Sequence, residues 1–490
     1  MDSPRYPSLY QINARTYLSA LARDLGRPAT LDDFPDAELE HIAGLGFDWV
    51  WLLGVWQTGA ASRAVSRTRL DLLDEFQRTL PDLQEGDICG SCFAITGYTV
   101  HSEMGGNEAL LRLRQRMKSR GLRLLLDFIP NHTALDHPWI AEHPEYYVAG
   151  TEADLFTQPQ NYARLKSKRP STILAYGRDP YFPGWTDTYQ LDYSNLQLQE
   201  AMQAELLQIA SLCDGVRCDM AMLVLPDIFE RTWGRRPADF WPKAIQGVRR
   251  TNPDFMFMAE VYWDLEWTLQ QQGFDYCYDK RLYDRLREGH ARPLRAHLSA
   301  GLDYQDKLAR FLENHDEPRA ASTFPVKVHE AAAVISFFSP GLRFFHQGQL
   351  QGFEKRLPVH LCRAPQEPAN PQLSAFYTRI LAALKQPALR DGDWSLLDCL
   401  PAWEGNWTSD CFVAFAWQAG DGQNLLGVVN YAPNASQCYV RLPFSHLPGH
   451  VVELRDLLSP AVYERNGDLL YLSGLYLDLP PWSYHLFEIK

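Results

Sequence analysis

Eight short apolar runs, most of them separated by helix-like polar stretches, constrain this chain more than any other feature. They are LYQINARTYL (9–18), FDWVWLLGVW (47–56), LRLLLDF (122–128), CDGVRCDM (213–220), FMFMAEVYW (255–263), FDYCYD (274–279), ARFLENHD (309–316) and LRFFHQGQ (342–349). Strands alternating with helices predict a parallel sheet with helical crossovers. Eight repeats predict a closed (β/α)8 barrel rather than an open sheet. One crossover is plain in the pattern: ALLRLRQRMKSRG (109–121) is amphipathic and ends on Gly121, a residue suited to a helix C-terminus.

Spacing divides the chain further. A plain barrel uses about 250 residues, or roughly 30 per βα unit. The step from Asp127 to Asp219 should be one such unit but holds far more chain. The surplus is polar and rich in Pro, Tyr and Trp, and long segments of this kind in a compact fold are usually functional. It predicts a small inserted segment over 133–190, above the C-terminal face of the barrel. The segment QTGAASRAVSRTRLDLLDEFQ, 57–77, is a second, shorter elaboration. After about residue 390 the runs become short and β-rich, with Gly, Asn and Pro turns between them. They predict an antiparallel β-sandwich. The expected division is 1–132 and 191–390 for the barrel, 133–190 for the insertion and 391–490 for the sandwich.

Composition narrows the partners. With 47 Lys and Arg against 60 Asp and Glu, the net charge is −13, which argues against a nucleic-acid surface or an anionic membrane. The N-terminus has neither the basic nor the apolar region of a signal peptide, and no run of about 18 apolar residues occurs. A cytoplasmic protein is expected. Nine scattered cysteines do not suggest a disulfide framework. Cys89 and Cys92 form a lone CGSC, read as two incidental thiols.

The candidate chemistry lies at the strand ends. In a barrel, acids at strand C-termini point into the site. Four runs carry one there: Asp127, Asp219, Glu260 and Asp316. Any one alone fits a helix cap or a surface charge; four in matching places suit cleavage of a glycosidic bond. That reaction needs one ionised carboxylate to attack and one protonated carboxyl to donate to the leaving oxygen, with their pKa values pushed apart. Arg217 lies two residues from Asp219, on the same side of a strand, and is expected to keep it ionised. Glu260 follows the apolar FMFMA, and desolvation is expected to keep it protonated.

The blocks DFIPNH (127–132), GVRCDM (215–220), MAEV (258–261) and ENHD (313–316) together resemble the α-amylase family of retaining glycoside hydrolases. QLDYSN (190–195), GYTVHSEMGG (97–106) and LPPWSYHLFEI (479–489) extend the resemblance over almost the whole chain. It implies Asp219 as nucleophile, Glu260 as general acid and base, and Asp316 as stabiliser of the transition state. His132 and His315 would bind hydroxyls of the reacting sugar, Arg217 would position the nucleophile and Asp127 would order the site. Tyr98 would stack on the sugar. The substrate would be a small or oligomeric α-glucoside, cleaved by hydrolysis or passed to a sugar acceptor. Many members carry a Lys–His pair three and four residues after the nucleophile. Met222 and Leu223 stand there in this chain, so an apolar leaving-group side is expected. No cofactor is required; calcium is open through Asn131, which otherwise would hydrogen-bond the insertion to the barrel.

Overall fold

The computed structural model describes residues 4–165 and 172–490. Residues 1–3 of the N-terminal segment and 166–171 of the insertion lie outside the described residues. Eight parallel strands close into a barrel. They are β1 (Ser8–Asn13), β2 (Trp49–Leu53), β3 (Arg123–Phe128), β4 (Gly215–Cys218), β5 (Met256–Ala259), β6 (Tyr276–Tyr278), β7 (Leu308–Arg310) and β8 (Leu342–His346). Each matches one of the eight apolar runs. β1, β2, β4, β5, β7 and β8 are buried at every position, because helices cover the outside and neighbouring strands fill the inside; such strands read as unbroken apolar runs.

Register carries the site. Arg217 of β4 pairs with Asp127 of β3 and with Met258 of β5. Residues paired across parallel strands point the same way, so Arg217 and Asp127 stand side by side inside the barrel. Asp219 and Glu260 follow directly on the ends of β4 and β5. Their backbone N–H groups continue the ladder, Asp219 to the Phe128 carbonyl at 2.8 Å and Glu260 to the Cys218 carbonyl at 3.0 Å.

The chain between β3 and β4 forms a four-stranded antiparallel sheet of His132–Ala134, Trp185–Gln190, Ile173–Gly177 and Tyr162–Arg164. The C-terminal region stacks a six-stranded antiparallel sheet on a three-stranded one. Phe412, Leu426, Val428, Cys438, Val440 and Phe487 are among the side chains of its own core. It docks on the barrel through Trp417, whose indole N–H donates to the Phe338 carbonyl at 2.9 Å. No helix among the described residues is long and apolar enough to cross a membrane.

Candidate active site

A buried cation organises the mouth of the barrel. The Arg217 side chain is fully buried. Its Nη1 donates to Asp219 Oδ1 at 2.8 Å and its Nη2 to Glu260 Oε2 at 2.6 Å. Asp127 Oδ1 lies 3.5 Å from Nη1. The rings of Trp51, Phe93 and Tyr278 enclose the guanidinium, with centroids 5.3, 5.0 and 6.0 Å from its carbon. A single guanidinium thus holds two carboxylates by hydrogen bonds and a third by charge.

Glu260 receives more than the sequence suggests. Besides Arg217, it accepts from the Met220 backbone N–H at 2.8 Å and from the Tyr262 hydroxyl at 2.9 Å. Met220 reaches it by a left-handed backbone, φ 42°, a conformation that costs a non-glycine residue about 1–2 kcal/mol. The expected electrostatics are therefore revised. Arg217 is shared rather than reserved for Asp219, and Glu260 accepts from three donors. Burial pushes the Asp219 carboxyl up to about 8 against the pull of Arg217, with Glu260, Asp127 and Asp316 adding repulsion.

Asp316 behaves oppositely. It lies in the loop beyond β7 and keeps 41% of its side chain accessible. Enclosure works against its charge, but His315, then Arg217 and Arg356, hold it down to about 2. His315 Nε2 lies 3.0 Å from Asp316 Oδ2. Gln11 of β1 meets His315 Nδ1 through its amide nitrogen at 2.9 Å. That contact turns the ring so that Nε2 faces the Asp316 carboxylate. Burial raises the Asp127 carboxyl, opposed by Arg217 and His315. Burial also pushes the His132 imidazole down to about 3, so His132 is neutral at physiological pH.

A cavity of about 440 Å³ opens over the acids, within the range of small-molecule sites. Asp219, Glu260, Asp316 and His132 line it together with Phe93, Trp185, Tyr262, Arg69, Asp187 and His360. His315 and Arg217 stand behind this wall rather than on it, and Asp127 lies deeper in the barrel.

Two expectations are corrected, and of the two readings open for Asn131 one is favoured. Tyr98 does not reach the cavity. It is buried against Phe128 and Trp56; its hydroxyl donates to the Ile129 carbonyl and accepts from the Ile129 N–H, both at 2.9 Å. Phe93, five residues earlier, is the ring beside Arg217 and His315. Met222 and Leu223 do not form the leaving-group side either. They turn into the core, 0% and 3% exposed, and Met220 lines the cavity instead. Finally, Asn131 is engaged within the protein. Its side-chain oxygen accepts from the Gln190 amide at 2.9 Å, and no cluster of three or more His, Cys, Asp or Glu able to hold a metal occurs among the described residues. Asn131 ties the insertion to the barrel.

The Tyr98 correction has a paired test. Tyr98→Phe is expected to lower stability by about 1–2 kcal/mol through the unpaired Ile129 groups, with catalysis unchanged. Phe93→Ala is expected to lower kcat/KM about five- to tenfold, the scale of a lost ring contact. Urea denaturation and steady-state kinetics on both variants check this, and the opposite pattern would return the stacking role to Tyr98.

Carboxylates converging at the C-terminal mouth of a (β/α)8 barrel, under an insertion that roofs them, place this chain in the class of barrel enzymes that work on a bound ligand from the strand ends. The family model "Alpha amylase, catalytic domain" matches residues 37–273. Over that stretch, just under half of its length, the chain is similar to the α-amylase family. It is 23% identical to Alpha-amylase 3 of Dictyoglomus thermophilum over 308 residues, 57% of each protein. It is 26% identical to Alpha-amylase MalA of Haloarcula japonica over 359 residues, 71% of this chain and 45% of that one. An α-1,4-glucan:maltose-1-phosphate maltosyltransferase of Burkholderia pseudomallei is 24% identical over 281 residues, 56% of this chain and 21% of that one. The matches to the two amylases span about half the length of those relatives. In structure, the maltogenic α-amylase AmyB of Thermotoga neapolitana aligns with a TM-score of 0.68 at 18% identity, over 99% of this chain and 98% of its own. That likeness shows the fold.

Proposed function

We propose that the protein is a retaining glycoside hydrolase acting on α-glucosidic bonds. The observation that carries this reading is the pair Asp219 and Glu260, hydrogen-bonded to one buried guanidinium on the wall of one cavity. A retaining mechanism needs two carboxyl groups close together, and a shared guanidinium keeps them so. Asp219 attacks the anomeric carbon as the bond to the leaving oxygen breaks, and Glu260 gives that oxygen its proton. Glu260 then takes a proton from water, which displaces Asp219 from the sugar.

The reaction uses the form with the proton on Glu260 and the charge on Asp219. Positive charge developing on the sugar ring favours the anion on Asp219, so the working distribution strengthens toward the transition state. Asp316, ionised on the facing side, adds to that field and accepts sugar hydroxyls. Neutral His132, with Trp185 packed edge-on at 5.2 Å, suits a hydroxyl-rich, uncharged ligand. The absence of disulfides among nine thiols supports the cytoplasmic reading.

Proton NMR of maltooligosaccharide cleavage tests the proposal. The α-anomer is expected to appear first and to mutarotate later; β-anomer first would exclude retention. The likeness to a maltosyltransferase supports a second reading, transfer of the same glycosyl ester to a sugar hydroxyl. Longer chains or new linkages at high substrate concentration would select it over hydrolysis.

A further inference from the structure

Away from the acids, two loops on the rim of the cavity meet through one antiparallel bridge, Ile88 with Leu361. The Cys89 N–H donates to the His360 carbonyl and the Cys362 N–H to the Asp87 carbonyl, both at 2.9 Å. Alternate residues of paired strands share a face, so Cys89 and Cys362 are diagonal neighbours on the side opposite Ile88 and Leu361. In the sequence Cys89 stands next to Cys92 in CGSC. The fold separates that pair: Cys92 is buried, while Cys89 and Cys362 are each partly exposed.

Arg15 supplies the charge. It is buried, 7% exposed, and its Nη1 donates to the Gly90 carbonyl at 2.7 Å and to Cys89 Sγ at 3.2 Å. Burial works against its charge, and the sulfurs of Cys89, Cys92 and Cys362 raise its basicity. A buried guanidinium requires a counter-ion, and the nearest sulfur is that of Cys89. The Cys362 thiol holds Cys89 down to about 6 against burial, with Arg15 adding to it. Cys362 is raised in turn by its neighbour's sulfur. The Cys89 Sγ lies 3.2 Å from the His360 carbonyl, and the Cys362 Sγ lies 3.4 and 3.5 Å from the Gly86 and Asp87 carbonyls.

We propose that Cys89 and Cys362 form a thiol–disulfide exchange site for small disulfides, built into the rim of the catalytic cavity. The Cys89 thiolate attacks one sulfur of a disulfide RSSR and expels one RS⁻. The Cys362 thiol yields its proton to that RS⁻, and its sulfur attacks the Cys89 sulfur of the mixed disulfide. The second RS⁻ leaves and takes a proton from solvent. Two protein thiols are oxidised to one disulfide, and RSSR is reduced to two RSH.

Diagonal neighbours on paired strands stand about 7–8 Å apart, at or just beyond the span a disulfide closes. The bond therefore forms as the two loops draw together. His360 on one loop and Ser91 and Phe93 on the other line the cavity, so the drawing-together reshapes its wall. This effect on turnover rests on the glycosidase reading; the crosslink itself does not.

The full-length protein, incubated with glutathione disulfide, acid-quenched, alkylated and mapped by peptide mass spectrometry, provides the test. A Cys89–Cys362 linked peptide is expected, reversed by dithiothreitol. Cys362→Ser is expected to accumulate glutathione on Cys89, whereas Cys89→Ser carries far less on Cys362. Maltooligosaccharide turnover of the oxidised wild type is expected to fall about tenfold, since small displacements in a site act on that scale, and to recover on reduction. Recovery of both residues as free alkylated thiols, or a Cys89–Cys92 link, would overturn the proposal. A linked protein with unaltered turnover would remove the coupling to the cavity. If neither form turns over any α-glucoside, the functional reading fails while the linked peptide still decides the exchange site.

Discussion

Asp219→Asn is expected to leave a folded protein whose turnover is lower by about 10⁴- to 10⁶-fold, the scale on which a lost nucleophile acts, and which is more heat-stable than the wild type above neutral pH. The two effects have one cause. Asp219 is 4% exposed, and burial together with Glu260, Asp127 and Asp316 raises its carboxyl from 3.8 to about 8. In the unfolded chain it ionises near pH 4. Between about pH 4 and pH 8 the unfolded state is therefore ionised while the folded state keeps the proton, and stability falls as pH rises through that window. Above it the folded state carries a charge it disfavours. Asparagine keeps the acceptor for Arg217 Nη1 and carries no charge at any pH. Melting temperatures of the two proteins should coincide near pH 4, with the variant higher at pH 8. Equal melting temperatures at both pH values would mean that Asp219 is not strained by its surroundings. Residual turnover above about one part in a hundred would move the nucleophile elsewhere.

The eight barrel strands were legible because strands buried on both faces read as continuous apolar runs. The insertion was legible as chain in excess of one βα unit. Asp219 and Glu260 were legible as acids directly following such runs. Side-chain direction beyond a strand end was not. Met222 and Leu223 lie in a short helical turn (Ala221–Val224) that rotates them into the core, and nothing in MAML reports that rotation. Phe93 precedes a short strand (Ile95–Val100) and Tyr98 lies within it, five residues on, and an aromatic at either one is equally plausible by pattern. Tyr98 is fixed by the Ile129 backbone, a partner 31 residues away. Arg217 raises the same difficulty. Its bond to Asp219 spans two residues and is visible in DGVRCDM, whereas its bond to Glu260 spans 43 and needs the β4–β5 register. The Cys89 and Cys362 loops meet across 271 residues, as the Cys89 bond to the His360 carbonyl shows. Periodicity places elements; contacts between loops of different elements come from the closed barrel.

Arg217→Met is expected to cost the most stability of any single change at the site, about 3–5 kcal/mol at neutral pH, the range for removing one partner from a buried ion pair. The arginine is wholly buried, and its two hydrogen bonds and the nearby Asp127 place three carboxyl groups around one cation. Methionine restores much of the side-chain volume and can pack against Trp51, Phe93 and Tyr278, so the loss is electrostatic rather than a cavity effect. Without the cation the three carboxyl groups bind protons more tightly in the folded state than with it. The added cost should therefore grow as pH rises and shrink toward pH 4, where protonation relieves it. Arg217→Lys separates charge from shape: an ammonium restores the positive charge but not the forked donors that reach Asp219 and Glu260 together. It is expected to recover a substantial part of the stability and little of the turnover. Urea denaturation of both variants at pH 5 and pH 8, with turnover at each, measures all three terms. A methionine variant destabilised equally at both pH values would show that Arg217 acts through packing. A lysine variant with full turnover would show that joint positioning of the two carboxyl groups is not what the arginine provides.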